Sequence, residues 1–106
     1  MQYDGKYKMT SHFWKIFRHG GCIIVRTNGE KITGKAYSMG LEADLSDGVL
    51  SGNEFSCTMV KALPLINKPV TMRVKGVFDG TTVQGTMIAP FGNSWFEGIR
   101  ISEFPD

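Results

Sequence analysis

The stretch from Val70 to Met87, VTMRVKGVFDGTTVQGTM, constrains the fold of this chain more than any other. Val70, Met72, Val74 and Phe78 alternate with Thr71, Arg73 and Lys75. A period of two places alternate side chains on opposite faces, as in a half-buried strand. Asp79-Gly80 then interrupts the run, and Asx-Gly supplies the positive φ angles of a tight hairpin turn. Val83, Met87 and Ala89 resume the alternation, with Gly85 among them. The same arrangement occurs twice upstream: Asn28-Gly29 is trailed by Gly34, and Asp47-Gly48 by Gly52. Three such turns predict an antiparallel all-β chain.

The 106 residues suffice for one domain, 1–106, with a single core. A chain of this size buries roughly 60–70% of its unfolded surface. An apolar content of 42% is that of a globular protein. Twelve Lys and Arg against ten Asp and Glu leave a net charge of +2, with no basic run, which argues against a nucleic-acid partner. The apolar runs are too short to span a membrane as helices, and the polar opening Met1-Gln2-Tyr3-Asp4-Gly5 does not read as a secretory leader. Cys22 and Cys57 form no CxxC pair and no zinc-ligand spacing, so they are expected as two free buried thiols rather than a disulfide. A soluble, cytoplasmic protein is the expectation.

Strands are expected at 3–9, Cys22–Thr27, Lys31–Ser38, Leu41–Leu45, Phe55–Leu63, Val70–Phe78, Val83–Ala89 and Ser94–Ile101, with a short extended piece at Val49-Leu50 after the Asp47-Gly48 turn. Leu63 to Asn67 reads as a loop, because Pro64 would remove a ladder hydrogen bond. Thr10 to Gly21 (TSHFWKIFRHGG) departs from the pattern. Its Phe13, Ile16 and Phe17 fit one helical turn, with Ser11 as the cap. About eight strands joined by short turns predict an up-and-down antiparallel β-barrel, since closure removes exposed edges; a two-layer sandwich is the alternative.

The order of these elements resembles that of small bacterial calycin-like (lipocalin-like) all-β domains. These open with a G-x-aromatic strand, repeat D-G-x-x-x-G hairpins and end with G-[NS]-x-x-F-x-G-x-R. The corresponding residues are Gly5-Lys6-Tyr7, the three Asx-Gly pairs, and Gly92-Asn93-Ser94-Trp95-Phe96-Glu97-Gly98-Ile99-Arg100. In the wider calycin group a tryptophan on the first strand packs beneath a basic residue of the last strand and closes one end. The resemblance implies that Tyr7 takes the tryptophan's place and Arg100 the basic one. Thr10–Gly21 replaces what is usually a short turn in similar domains.

Several residues are candidates for a site. Phe13, Trp14 and Phe17 would plug one barrel end, form a self-association surface, or make a mouth over a cavity. Phe55, Met59, Met72, Phe78 and Met87 are expected inside, with Ile32, Leu45, Val70 and Val74. Methionine adapts to irregular space and varied ligands. Arg100 is expected to close the barrel with Tyr7 or to meet a ligand carboxylate. His12 and His19 lack a nearby carboxylate in sequence and read as surface or capping residues. Gly20-Gly21 lacks the spacing of a phosphate cradle. Glu42 and Asp44 share a face opposite Leu41, Ala43 and Leu45, hence outward, with Asp47 and Glu54 near the same hairpin. Cys57 alternates with Phe55 and Met59 and reads as a small hydrophobe. These patterns, with the resemblance, point to a small-molecule-binding module with an apolar interior that takes a small hydrophobic ligand. The alternative is a non-catalytic interaction or homo-oligomerisation module, such as a homodimer, docking through the aromatic segment 12–25. No catalytic constellation, cofactor or metal site is expected.

Overall fold

The computed structural model describes residues 3–13, 17–38, 41–63, 66–90 and 92–104, and their side chains except at 13, 17–19, 38, 41, 61–63 and 66–69. Eight strands run in order: β1 (Gly5–Phe13), β2 (Phe17–Asn28), β3 (Lys31–Ser38), β4 (Leu41–Ser51), β5 (Glu54–Leu63), β6 (Ile66–Asp79), β7 (Thr82–Ala89) and β8 (Gly92–Ser102). Each pairs antiparallel with the next, and β1 pairs with β8, so the sheet closes into the up-and-down barrel that the alternation predicts. Among the described residues no helix occurs.

Inward side chains alternate with outward ones on every strand. Tyr7, Val25, Ile32, Leu45, Phe55, Cys57, Met59, Met72, Val74, Phe78, Val83, Met87 and Phe96 are buried, and Val70 packs against them half-buried. This interior is the one the period-two pattern anticipates. The tight turns at Asn28-Gly29 and Asp79-Gly80 form as expected, with φ of 64° at Gly29 and 61° at Gly80.

Three expectations are corrected. Thr10–Phe13 and Phe17–Gly21 are not a helical turn: they extend β1 and β2, pairing out to Phe13↔Phe17. A single turn of helix gains one hydrogen bond per residue only after a costly nucleus, whereas these residues join ladders on both sides, β1 reaching β8 as far as His12↔Trp95. Asp47-Gly48 does not turn the chain. It is a bulge inside β4, where Asp47 takes φ 52° and the register against both β3 and β5 shifts. The inserted residues move the inward set from Ala43 and Leu45 to Gly48 and Leu50, and Gly48 lies so close to the Ile32 carbonyl that no Cβ would fit. The turn itself falls at Gly52-Asn53. Finally, β5 runs to Leu63 and β6 starts at Ile66, with Pro69 paired to Ala62, so the 63–67 loop is shorter than expected.

Candidate functional site

The meander places β2–β3, β4–β5 and β6–β7 turns, with both ends of the chain, at one end of the barrel; the other four connections lie at the opposite end. The first end is sealed by aromatic rings. Tyr3 stacks on Phe78 at 4.4 Å between centroids and 11° between planes. Tyr7 and Phe55 pack on the same Phe78 ring at 5.7 and 5.0 Å. Such pairs add about 0.5–1.5 kcal/mol each beyond the area they bury.

Polar groups fasten the seal. Asp4 Oδ1 accepts hydrogen bonds from the Thr27 amide at 2.9 Å and the Thr27 hydroxyl at 2.6 Å, tying the segment before β1 to the end of β2. The Tyr7 hydroxyl donates to the Tyr3 carbonyl at 2.8 Å. Arg100 stands opposite Tyr7 in the β1–β8 ladder, and its Nη1 reaches the Asp4 carbonyl at 3.5 Å. Burial pushes the Tyr7 hydroxyl above its ordinary pKa, and the adjacent Arg100 cation, which also hydrogen-bonds it, offsets part of that. Tyr7 and Arg100, the pair to which the calycin resemblance points, are register partners in the β1–β8 ladder.

Beyond the seal the lining changes. Met59 pairs with Met72, Met87 with Ser94, and Ala36 with Ala43, while Met9 and Ile23 pack against the same core. Flexible thioethers and several small side chains predominate there, with the Phe96 ring among them. Among the described inward residues of this half none carries a charge. Cys57 lies between the two regions, one step along β5 from Phe55 and one from Met59. Burial alone drives its thiol up to about 11, the reverse of what a nucleophile requires.

The outer wall has two features of its own. The His12 ring stacks on Trp95 at 3.8 Å and 9°, and its Nε2 lies 3.4 Å from Glu97 Oε1 without the alignment of a hydrogen bond. Strand pairing thus brings to His12 the carboxylate that is remote in sequence. A groove of about 490 Å³ crosses β4 to β7, lined by Val49, Ser56, Lys75, Val77, Gln84 and Thr86 among others. It overlies the paired inward glycines Gly76 and Gly85, where a Cβ would strike the Phe55 or Phe96 ring, so the wall sits closer to the barrel axis there.

No protein-family model matches the chain, and no curated protein matches it. Among solved structures it is similar to a redesigned β-barrel, mFAP1, solved bound to DFHBI, with a TM-score of 0.65 over 93% of this chain and 94% of that one. At 8% identity the likeness is one of fold. An eight-stranded antiparallel barrel is thus a shared architecture, reached here by unrelated side chains.

The expected site residues divide between the regions. Met59, Met72 and Met87 come together in the methionine-lined half. Phe55, Phe78, Tyr7 and Arg100 belong to the sealed end, so Arg100 is not beside the methionines. Trp14 and the side chains of Phe13, Phe17 and His19 lie outside the described residues. Glu42 and Asp44 face outward, each about 4 Å from Lys35 Nζ. Cys57 is buried as expected, but Cys22 is half-exposed on the outer face, because Ile23 and Val25 take the inward positions of β2; both thiols are free. Gly20-Gly21 lies within β2. Asp4 and Thr27 escaped the sequence reading: nothing local separates them from ordinary strand-end polar residues.

Proposed function

We propose that this chain is a non-catalytic, calycin-like small-molecule-binding module whose ligand enters the methionine-lined half of the barrel. The supporting observation is the division of the interior. One end is closed by interlocked rings and hydrogen bonds, while Met9, Met59, Met72 and Met87 with small neighbours line the other. Methionine side chains repack around varied apolar shapes at low cost, and an eight-stranded barrel is wide enough to hold one small ligand. The similar fold solved with a bound small molecule supports the same reading. The two free thiols, on opposite faces of the wall, fit a reducing compartment such as the cytoplasm.

The test is native mass spectrometry of freshly purified protein, followed by titration with the neutral apolar fluorophore N-phenyl-1-naphthylamine. A co-purified small molecule, or saturable one-to-one binding that Met72→Trp abolishes, is expected. Absence of both refutes the reading.

A second reading, a homo-oligomeric association module, has an observation of its own. Trp95, Ile99 and Ile101 point outward in one row of β8 and are 48, 52 and 62% exposed. Their neighbours on β7 and β1 include Ile88 and His12, the latter at the start of the 12–25 segment. Light scattering of the wild type and Ile99→Lys decides it: a dimer that dissociates in the variant supports association, and a monomeric wild type removes it.

A further inference from the structure

The groove on the outer wall, from β4 to β7, has no part in the barrel interior. Its volume of about 490 Å³ falls within the roughly 300–1,000 Å³ of small-molecule sites. Its floor is the backbone of Gly76 and Gly85, backed from inside by the Phe55 and Phe96 rings, so packed core rather than loops holds the depression. Strand register arranges its side chains in two rows. Ser56, Lys75 and Thr86 stand opposite one another on β5, β6 and β7, and Glu54, Val77 and Gln84 form the row beside them. Among the described residues no hydrogen bond or ion pair engages the side chain of Glu54, Ser56, Lys75, Gln84 or Thr86.

Both rows continue onto β8. Thr86 stands opposite Trp95, and Gln84 opposite Glu97. Trp95 in turn stands opposite His12 on β1, whose ring stacks on it at 3.8 Å and 9°. One face of the indole is thus covered from the β1 side. The other is turned toward β7, where the groove ends, and Trp95 keeps 48% exposure. A ring already held by a stacked neighbour loses little further freedom when a ligand lies on it.

We propose that the groove and the open face of Trp95 form one extended site for an uncharged oligosaccharide. A sugar ring has apolar C–H faces and a rim of hydroxyls, so it needs an aromatic face beside groups that donate and accept hydrogen bonds. Trp95 supplies the face. Ser56, Thr86 and Gln84 both donate and accept, Lys75 donates and Glu54 accepts. From Val49 on β4 to Trp95 on β8 the row crosses four strand spacings, about 19 Å, so several linked rings fit. A nucleic-acid strand also stacks on aromatic rings, and charge decides against it. A phosphate chain needs a predominantly cationic groove, whereas here Glu54 matches Lys75 and Glu97 follows Trp95 on the outer face of β8. The site lies outside the barrel and is independent of what the interior binds.

The probes are cellotetraose, maltotetraose and the tetramer of N-acetylglucosamine, with a heparin tetrasaccharide and octathymidylate as charged counterparts, titrated by calorimetry and saturation-transfer NMR. At least one neutral tetrasaccharide should bind saturably at millimolar concentration, and more tightly than either charged probe. Trp95→Ala should weaken that binding at least about 10-fold, and Gln84→Ala about 5-fold, the loss of one neutral hydrogen bond. Trp95→Phe, which keeps a ring, should retain part of the affinity. Circular dichroism of each variant verifies the fold. Neither alanine variant should change the binding of N-phenyl-1-naphthylamine, which reads the interior. The outer site is overturned if no neutral sugar binds, if a charged probe binds more tightly, or if both alanine variants bind as the wild type does. It is also overturned if light scattering shows a dimer that Trp95→Ala dissociates and no sugar does. Each of these outcomes leaves the reading of the interior to its own test.

Discussion

The sealed end and the methionine-lined half enclose one continuous interior, yet they are built on different rules. At the sealed end rigid rings meet at defined angles, and the Tyr7 and Thr27 hydroxyls have partners. In the other half flexible methionines stand with the Phe96 ring, Ile23 and small side chains such as Ala36 and Ala43. A ring has two rotatable bonds and a fixed outline, so its neighbours are specified closely; a thioether with three can fill several shapes. The contrast teaches where stability and adaptability have been placed. One end holds the strands in register, and the other tolerates change in what it surrounds.

The largest expected effect tests the seal. Phe78→Ala removes the ring on which Tyr3, Tyr7 and Phe55 all pack, and should cost about 3–5 kcal/mol in urea unfolding. If Met72→Ala costs as much, the two regions are equally specified and the contrast is broken. Next comes pH. The Cys57 thiol is raised from 9.0 to about 11, so the folded state favours its neutral form. That stability is fully present below pH 9, where the thiol is neutral in both states, and is lost as pH rises from 9 to about 11. The loss should amount to about 2–3 kcal/mol. Tyr7, also raised by burial, adds to the decline above pH 10. Chemical denaturation from pH 8 to 11, with Cys57→Ala as control, isolates the thiol. No difference in slope between the two proteins would mean that water reaches Cys57 and that the seal does not dry the lumen above it.

Asp4→Ala should cost about 2 kcal/mol, because it strips a charge-assisted partner from both the Thr27 amide and hydroxyl. A loss below about 0.5 kcal/mol by the same assay would show that the rings alone close the barrel. The smallest effect sharpens the other side of the contrast. Met59→Leu and Met72→Leu conserve volume and should each cost less than about 1.5 kcal/mol. They should nonetheless weaken N-phenyl-1-naphthylamine binding measurably, since leucine adapts less.

Much of this was legible because it is local. Alternation assigned Phe55, Met59, Met72, Val74, Phe78 and Met87 to the interior, and a period of two depends only on a strand's own residues. The Asx-Gly rule located the turns at Asn28-Gly29 and Asp79-Gly80 for the same reason. It misplaced Asp47-Gly48 because a left-handed residue serves a bulge as readily as a turn, and only the flanking strands decide between them. Thr10–Gly21 misled in the same way: three aromatic or aliphatic residues at helical spacing carried less weight than two ladders. Glu97 beside His12 was invisible, since β1 and β8 meet only on closure.

Sequence alone determined the all-β class, the approximate strand count and which side chains face inward, through patterns set within a few residues. The closed end was decided by the tertiary structure. Its contacts join Asp4 to Thr27 and to Arg100, 23 and 96 residues away. The same closure set stacked aromatic rings and paired hydroxyls at one end of the interior, and methionines toward the other. Strand alternation says which residues share an interior, but the order in which they are stacked along it depends on register, and register is settled only when every strand has both its neighbours.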